Sequence, residues 1–106
     1  MRTIGHFIDG VETSGNSAEF QDVFNPATGD VQARVALATQ ADLDAAVASA
    51  AAAQPKWAAT NPQRRARVFF NFVALINRDM QELAELLSAE HGKTVEDAKG
   101  DRKSVV

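Results

Sequence analysis

Large apolar side chains crowd into residues 61–92, NPQRRARVFFNFVALINRDMQELAELLSAEHG, and the pattern predicts two helices in series. Asn61 suits an N-cap, and Pro62 suits the first helical position, where a missing N–H costs nothing. Val68, Phe69, Phe70, Phe72, Val73, Leu75 and Ile76 follow. At about 100° per residue these side chains point nearly all round the helix rather than along one stripe. Such a helix needs cover on more than one side, and a chain of 106 residues holds little to supply it. The pattern therefore reads as the N-terminal part of a larger protein. Asn77-Arg78-Asp79 reads as a break, with Asp79 capping the second helix. That helix carries Met80, Leu83, Leu86 and Leu87 on one face, and Gly92 suits the residue just past its end.

Upstream, the period shortens to two. Residues 4–9 alternate Ile4, His6 and Ile8 against Gly5, Phe7 and Asp9, which predicts a strand. Asp9-Gly10 is a hairpin turn signal, with residues 11–13 returning. Residues 14–18 read as loop and 20–24 as a short strand. The turn NPATGD at 25–30 uses Pro to fix φ and Gly to supply a positive φ. Residues 31–37 alternate Val31, Ala33, Val35 and Leu37 against Gln32, Arg34 and Ala36, a half-buried strand. The first third is thus expected to be a small antiparallel set. Thr39 with Asp42 makes a capping-box signal for a helix to about Ala53, with Leu43, Val47 and Ala50 as its packed face. Pro55 is expected to stop it and to leave Trp57 in a linker. Thr94 with Asp97 opens a last short helix. The fragment reads as α+β: strands, then three to four helices.

Composition narrows the class. Apolar content of 45% with 24% charged residues is that of an ordinary globular chain, and 106 residues suffice for one small domain. The net charge of −3 argues against nucleic acid or an anionic membrane as partner. With no cysteine, this chain has no disulfide, thiolate metal site or cysteine nucleophile. The start, MRTIGHFIDG, lacks an apolar run of signal-peptide length, and residues 45–55 are far too short to span a bilayer.

Few residues invite chemistry. Gly92-Lys93-Thr94 looks like the end of a phosphate loop, but position 87 is Leu87 and a helix precedes it, so a helix cap followed by an N-cap explains it better. No GxG spacing occurs, so a local dinucleotide fingerprint is absent. His6 reads as a strand residue, and His91 lies at a helix C-terminus, where a cation is favoured. Arg64, Arg65 and Arg67 read as a solvated face. Glu82, Glu85, Glu90, Glu96 and Asp97 occupy solvent-facing helix positions, with no acid–base pair among them. These residues by themselves nominate no catalytic, cofactor-binding or metal site.

Longer phrases carry a resemblance. IGHFIDG, VFNPATGDVQARVALAT, AAAAQPKWAATNPQRRARV and NRDMQELAELLSAEHGKTVEDAKGD resemble the N-terminal segment of the aldehyde dehydrogenase superfamily over about residues 1–101. The NPATG turn, the W-x-x-x-x-P-x-x-R-x-x-V pattern and a helix ending in E-x-G-K-T are shared widely across it. WAATNPQRRARV and EHGKTVEDAKGD are similar to the CoA-acylating methylmalonate-semialdehyde dehydrogenase branch.

The resemblance implies an α/β parent with a Rossmann-like NAD domain, a catalytic domain and a small oligomerisation flap. It implies an NAD-dependent enzyme of valine catabolism that converts methylmalonate or malonate semialdehyde with coenzyme A to propionyl-CoA or acetyl-CoA and carbon dioxide. A cysteine thiolate would attack the aldehyde, and its thioester stays reactive toward a second thiol. The implied parent is a cytoplasmic homo-oligomer acting on a small semialdehyde, with no nucleic-acid or membrane partner.

None of the family's functional residues falls in this chain. The nucleophilic cysteine, the NAD-contacting lysine and glycine-rich turn, and the cofactor-contacting glutamate all lie beyond position 106, so the chain alone is expected to be inactive. After Asp101 the family pattern continues to an Arg-Gly pair, and that arginine is a candidate to hold the substrate carboxylate. Here its position is Ser104, and residues 102–106 read as a tail foreign to the pattern. Two rivals stand: a non-acylating aldehyde dehydrogenase of another branch, and a short α+β module that docks a partner through its apolar helix.

Overall fold

The structure is a computed structural model. It describes residues 1–103, with side chains through Asp101. Ser104 and the rest of the predicted tail beyond Lys103 lie outside the described residues. Among the described residues five strands precede four helices, and these residues divide into two compact units, 1–24 with 30–59 and 25–29 with 60–103.

The first unit holds all five strands and one helix. The expected single strand over 4–9 is split at Gly5 into β1 (Arg2–Ile4) and β2 (His6–Ile8). The cause is local. A Cβ at Gly5 would lie 2.1 Å from the carbonyl oxygen of Thr13, so the backbones meet where only glycine fits. β2 turns at Asp9-Gly10, both with positive φ, and pairs antiparallel with β3 (Val11–Thr13). β4 (Phe20–Phe24) and β5 (Val31–Ala36) form the other antiparallel pair, joined by the NPATGD turn.

One pairing departs from the expected antiparallel set. β1 runs parallel to β5, Arg2 opposite Ala33 and Ile4 opposite Val35, giving the order β1-β5-β4. Parallel neighbours need a long connection, and the hairpin, loop and β4 between them supply it. β5 is therefore central. Its burial does not alternate as predicted: Ala33 and Ala36, which face opposite sides of the strand, are both buried, while Val31 and Leu37 keep 40% and 38% of their surface exposed.

Helix α1 (Gln40–Ala58) begins at the predicted Thr39 cap but runs through Pro55. Proline removes one ladder bond near the helix end, and residues 51–59 are exposed, so the carbonyl it frees can meet water. Ala59 N–H still bonds the Pro55 carbonyl at 3.0 Å, and Trp57 lies in the helix rather than in a linker. The expected packed face is also wrong. Asp42, Ala46 and Ser49 turn inward, whereas Leu43 and Val47 remain more than half exposed.

The second unit is helical: α2 (Pro62–Arg78), α3 (Met80–His91) and α4 (Val95–Lys103). Asn61 caps α2 as expected, accepting from Gln63 N–H at 2.8 Å. Asp79 separates α2 from α3 but makes no side-chain cap, because its carboxylate is taken by the adjacent Arg78 guanidinium at 2.8 Å. Ile76, Ala84 and Ala98 form the buried centre. Around α2 the inward residues Val73 and Ile76 occupy one narrow stripe, and Val68, Phe69, Phe70, Phe72 and Leu75 lie exposed. With Arg64, Arg67, Asn71 and Arg78 forming a polar strip, the apolar arc spans about 220° rather than the whole circumference.

Among the described residues, no large side chain is fully buried in either unit. Both centres are built mostly of alanine, which excludes little water area per residue.

Candidate functional site

A polar cluster centres on a residue that sequence reasoning treated only as half of a helix cap. Asp42 is 5% exposed. As the third helical residue of α1, it accepts from Thr39 N–H at 2.8 Å and from the Thr39 hydroxyl at 2.9 Å, while its own N–H donates to Thr39 Oγ1 at 3.2 Å. That completes the predicted capping box. Its oxygens also reach across 26 positions of chain to Asn16, accepting from the side-chain amide at 2.6 Å and from the backbone N–H at 3.2 Å. The carboxylate thus binds the loop after β3 to the start of α1. No spacing rule reveals that link, because Asn16 lies in a loop without periodicity.

Donors on every side hold the Asp42 carboxyl at about 2, below its ordinary 3.8. The Thr39 N–H contributes most; burial pushes the other way, and the Asn16 N–H and both neighbouring side chains add to the lowering. A carboxylate this acidic, with both oxygens occupied by its own chain, does not exchange protons near neutral pH. Its chemistry is that of a fastener.

His6, expected as a plain strand residue, lies beside it. Its Nε2 is buried without a hydrogen-bond partner, 3.9 Å from Asp42 Oδ2, and the ring packs where a Cβ on Gly15 would come within 2.7 Å. Ile8, Thr13, Ser14, Gly15, Asn16, Asp42 and Ala45 line a shallow concavity here. The described residues contain no group of three His, Cys, Asp or Glu side chains arranged to hold a metal.

The Gly92-Lys93-Thr94 stretch takes the capping role predicted for it. Gly92 ends α3 with φ of 87°, donating to the Ser88 carbonyl at 2.8 Å. The Ser88 hydroxyl donates to the Lys93 carbonyl at 2.6 Å, and Thr94 Oγ1 accepts from Asp97 N–H at 3.2 Å. Lys93 pairs with Asp101 rather than facing an open loop. A Cβ on Gly92 would meet Pro26 at 3.0 Å, so the E-x-G-K-T end of α3 packs on the NPATG turn. Within that turn Asn25 Oδ1 accepts from Ala27 N–H at 2.9 Å, and Gly29 has φ of 79°. Two motifs far apart in sequence thus form one structural joint.

The remaining candidates stay apart from chemistry. Arg64 and Arg67 are exposed, Arg65 half-buried, and Glu82, Glu85, Glu90, Glu96 and Asp97 all exposed, as their helical spacing predicts. His91 ends α3. No helix among the described residues is long and apolar enough to cross a membrane. A dinucleotide does not fit these residues either. The positive-φ glycines serve turns and a helix end, and the space beside Gly15 is filled by His6.

These elements and motifs recur in known proteins. The profile of the Aldehyde dehydrogenase family matches residues 13–106. The chain is 43% identical over 105 residues to malonate-semialdehyde dehydrogenase of Pseudomonas aeruginosa, covering 97% of this chain and 20% of that protein. It is 41% identical over 99 residues to the human acylating methylmalonate-semialdehyde/malonate-semialdehyde dehydrogenase, a mitochondrial protein, covering 93% and 18%. Among solved structures, a Sinorhizobium meliloti protein provisionally assigned as methylmalonate-semialdehyde dehydrogenase, complexed with NAD, superposes with a TM-score of 0.92 at 67% identity, covering 95% of this chain and 21% of that one. The Oceanimonas doudoroffii methylmalonate-semialdehyde dehydrogenase gives 0.90 at 40% identity, covering 94% and 20%. The chain spans about a fifth of the length of these relatives. With its α+β order of strands then helices, its paired NPATG and E-x-G-K-T joint and these matches, the chain belongs to the aldehyde dehydrogenase family.

Proposed function

We propose that this chain forms the opening segment of an NAD-dependent, CoA-acylating methylmalonate/malonate-semialdehyde dehydrogenase. The observation that carries the reading is the 67% identity, at a TM-score of 0.92, to the S. meliloti protein solved with NAD. The similarity to the P. aeruginosa, human and O. doudoroffii enzymes supports the same substrate class. Coenzyme A as acyl acceptor rests on the acylating name of the human relative. A cytoplasmic homo-oligomer belongs to the same reading, as does the division at residue 101 between family segment and tail.

In that enzyme the present residues build rather than react. The Asp42 clasp fixes the loop after β3 to α1, and Gly92 seats the end of α3 on the NPATG turn. The exposed arc of α2 becomes interior, covered by the remainder of the polypeptide. The thiolate nucleophile and the NAD and CoA contacts come from that remainder.

A chimera tests this. The matching segment of the S. meliloti protein is replaced by residues 1–101 of this chain, and NADH formation from methylmalonate semialdehyde is followed with and without coenzyme A. The reading predicts CoA-stimulated turnover like that of the parent. A folded chimera without turnover beside an active parent, or turnover indifferent to coenzyme A, refutes it.

A further inference from the structure

We draw no further inference here: the strongest candidate, the exposed apolar arc of α2 from Val68 to Leu75, is the surface already assigned above to the remainder of a longer enzyme, and the buried His6–Asp42 pair beside it in rank carries nothing because the carboxylate oxygens are already taken by Asn16 and Thr39.

Discussion

Replacing Phe70 with serine should turn a self-associating chain into a more soluble one. Phe70 is 72% exposed on α2, beside Phe69 at 56% and Phe72 at 44%. An aromatic side chain offers about 150–250 Å² for burial, so Phe70 alone leaves on the order of 150 Å² in water. With Val68, Phe69, Phe72 and Leu75 the arc exposes roughly 500 Å², as large as the largest apolar patch on a typical monomer, which is often functional. At about 25 cal/mol per Å², covering it gains on the order of 10 kcal/mol per copy before costs. A face-to-face pair covers the arc of both copies, a gain of about 20–25 kcal/mol, and association itself costs about 4–15 kcal/mol, so isolated chains should self-associate at micromolar concentrations or below. Phe70→Ser removes up to ~3–4 kcal/mol of that gain for each copy that buries the ring. A contact covering half of the ring therefore weakens association by at least roughly tenfold. Sedimentation equilibrium across the micromolar range reads the change. Phe7→Ser is the control, since Phe7 is equally exposed, at 74%, but lies on β2. The reasoning fails if the unmodified chain sediments as a monomer throughout, or if Phe7→Ser weakens association as much as Phe70→Ser.

Five further outcomes follow from the same geometry. Gly5→Ala places a Cβ against the Thr13 carbonyl, so the hairpin must move; the urea midpoint should fall by an amount equivalent to about 1–3 kcal/mol, whereas Gly100→Ala, with open space inside α4, should raise it by up to ~1 kcal/mol. Gly92→Ala combines a left-handed φ with the Pro26 contact and should cost about 1–2 kcal/mol, seen as a lower melting temperature by circular dichroism. Ile76→Ala empties the buried centre of the helical unit and should cost about 2–5 kcal/mol in the same melt. Asp42→Asn should flatten the acid limb of stability: the folded carboxyl titrates at about 2 against an ordinary 3.8, so its contribution is present above pH 3.8 and lost as pH falls toward 2. Acid titrations of the two proteins followed by fluorescence of Trp57 should diverge above that window and converge below it.

Local chemistry was legible in the chain, and relations between distant segments were not. Thr39, Asn61, Gly92 and Thr94 all cap as their side chains or backbone freedom dictate, because a cap involves only residues within a turn of each other. Asp79 failed because a neighbouring guanidinium competed for its carboxylate, and a capping signal does not weigh competitors. Pro55 failed as a stop because the cost of one lost ladder bond is tolerable near an exposed helix end. The parallel partner of β1 could not be read, since the alternation of apolar residues sets which face is buried and not which strand lies alongside. The face of α1 is the most instructive miss. Periodicity chose Leu43 and Val47, the large side chains, while the observed inward stripe is Asp42, Ala46 and Ser49. The inward stripe is small and polar, held by the Asp42 hydrogen bonds rather than by apolar area, so a hydrophobic pattern does not mark it. The Asp42–Asn16 clasp was visible only as its local half.

The central claim, that these residues open a longer CoA-acylating dehydrogenase, is tested most directly at the locus itself. A long sequencing read across the codon of Asp101 should show the frame continuing into an Arg-Gly pair, an apolar helix and, further on, a cysteine, and the protein expressed from that frame should reduce NAD faster when coenzyme A is supplied. A natural stop after Val106, with a stable and monomeric product, would contradict the account.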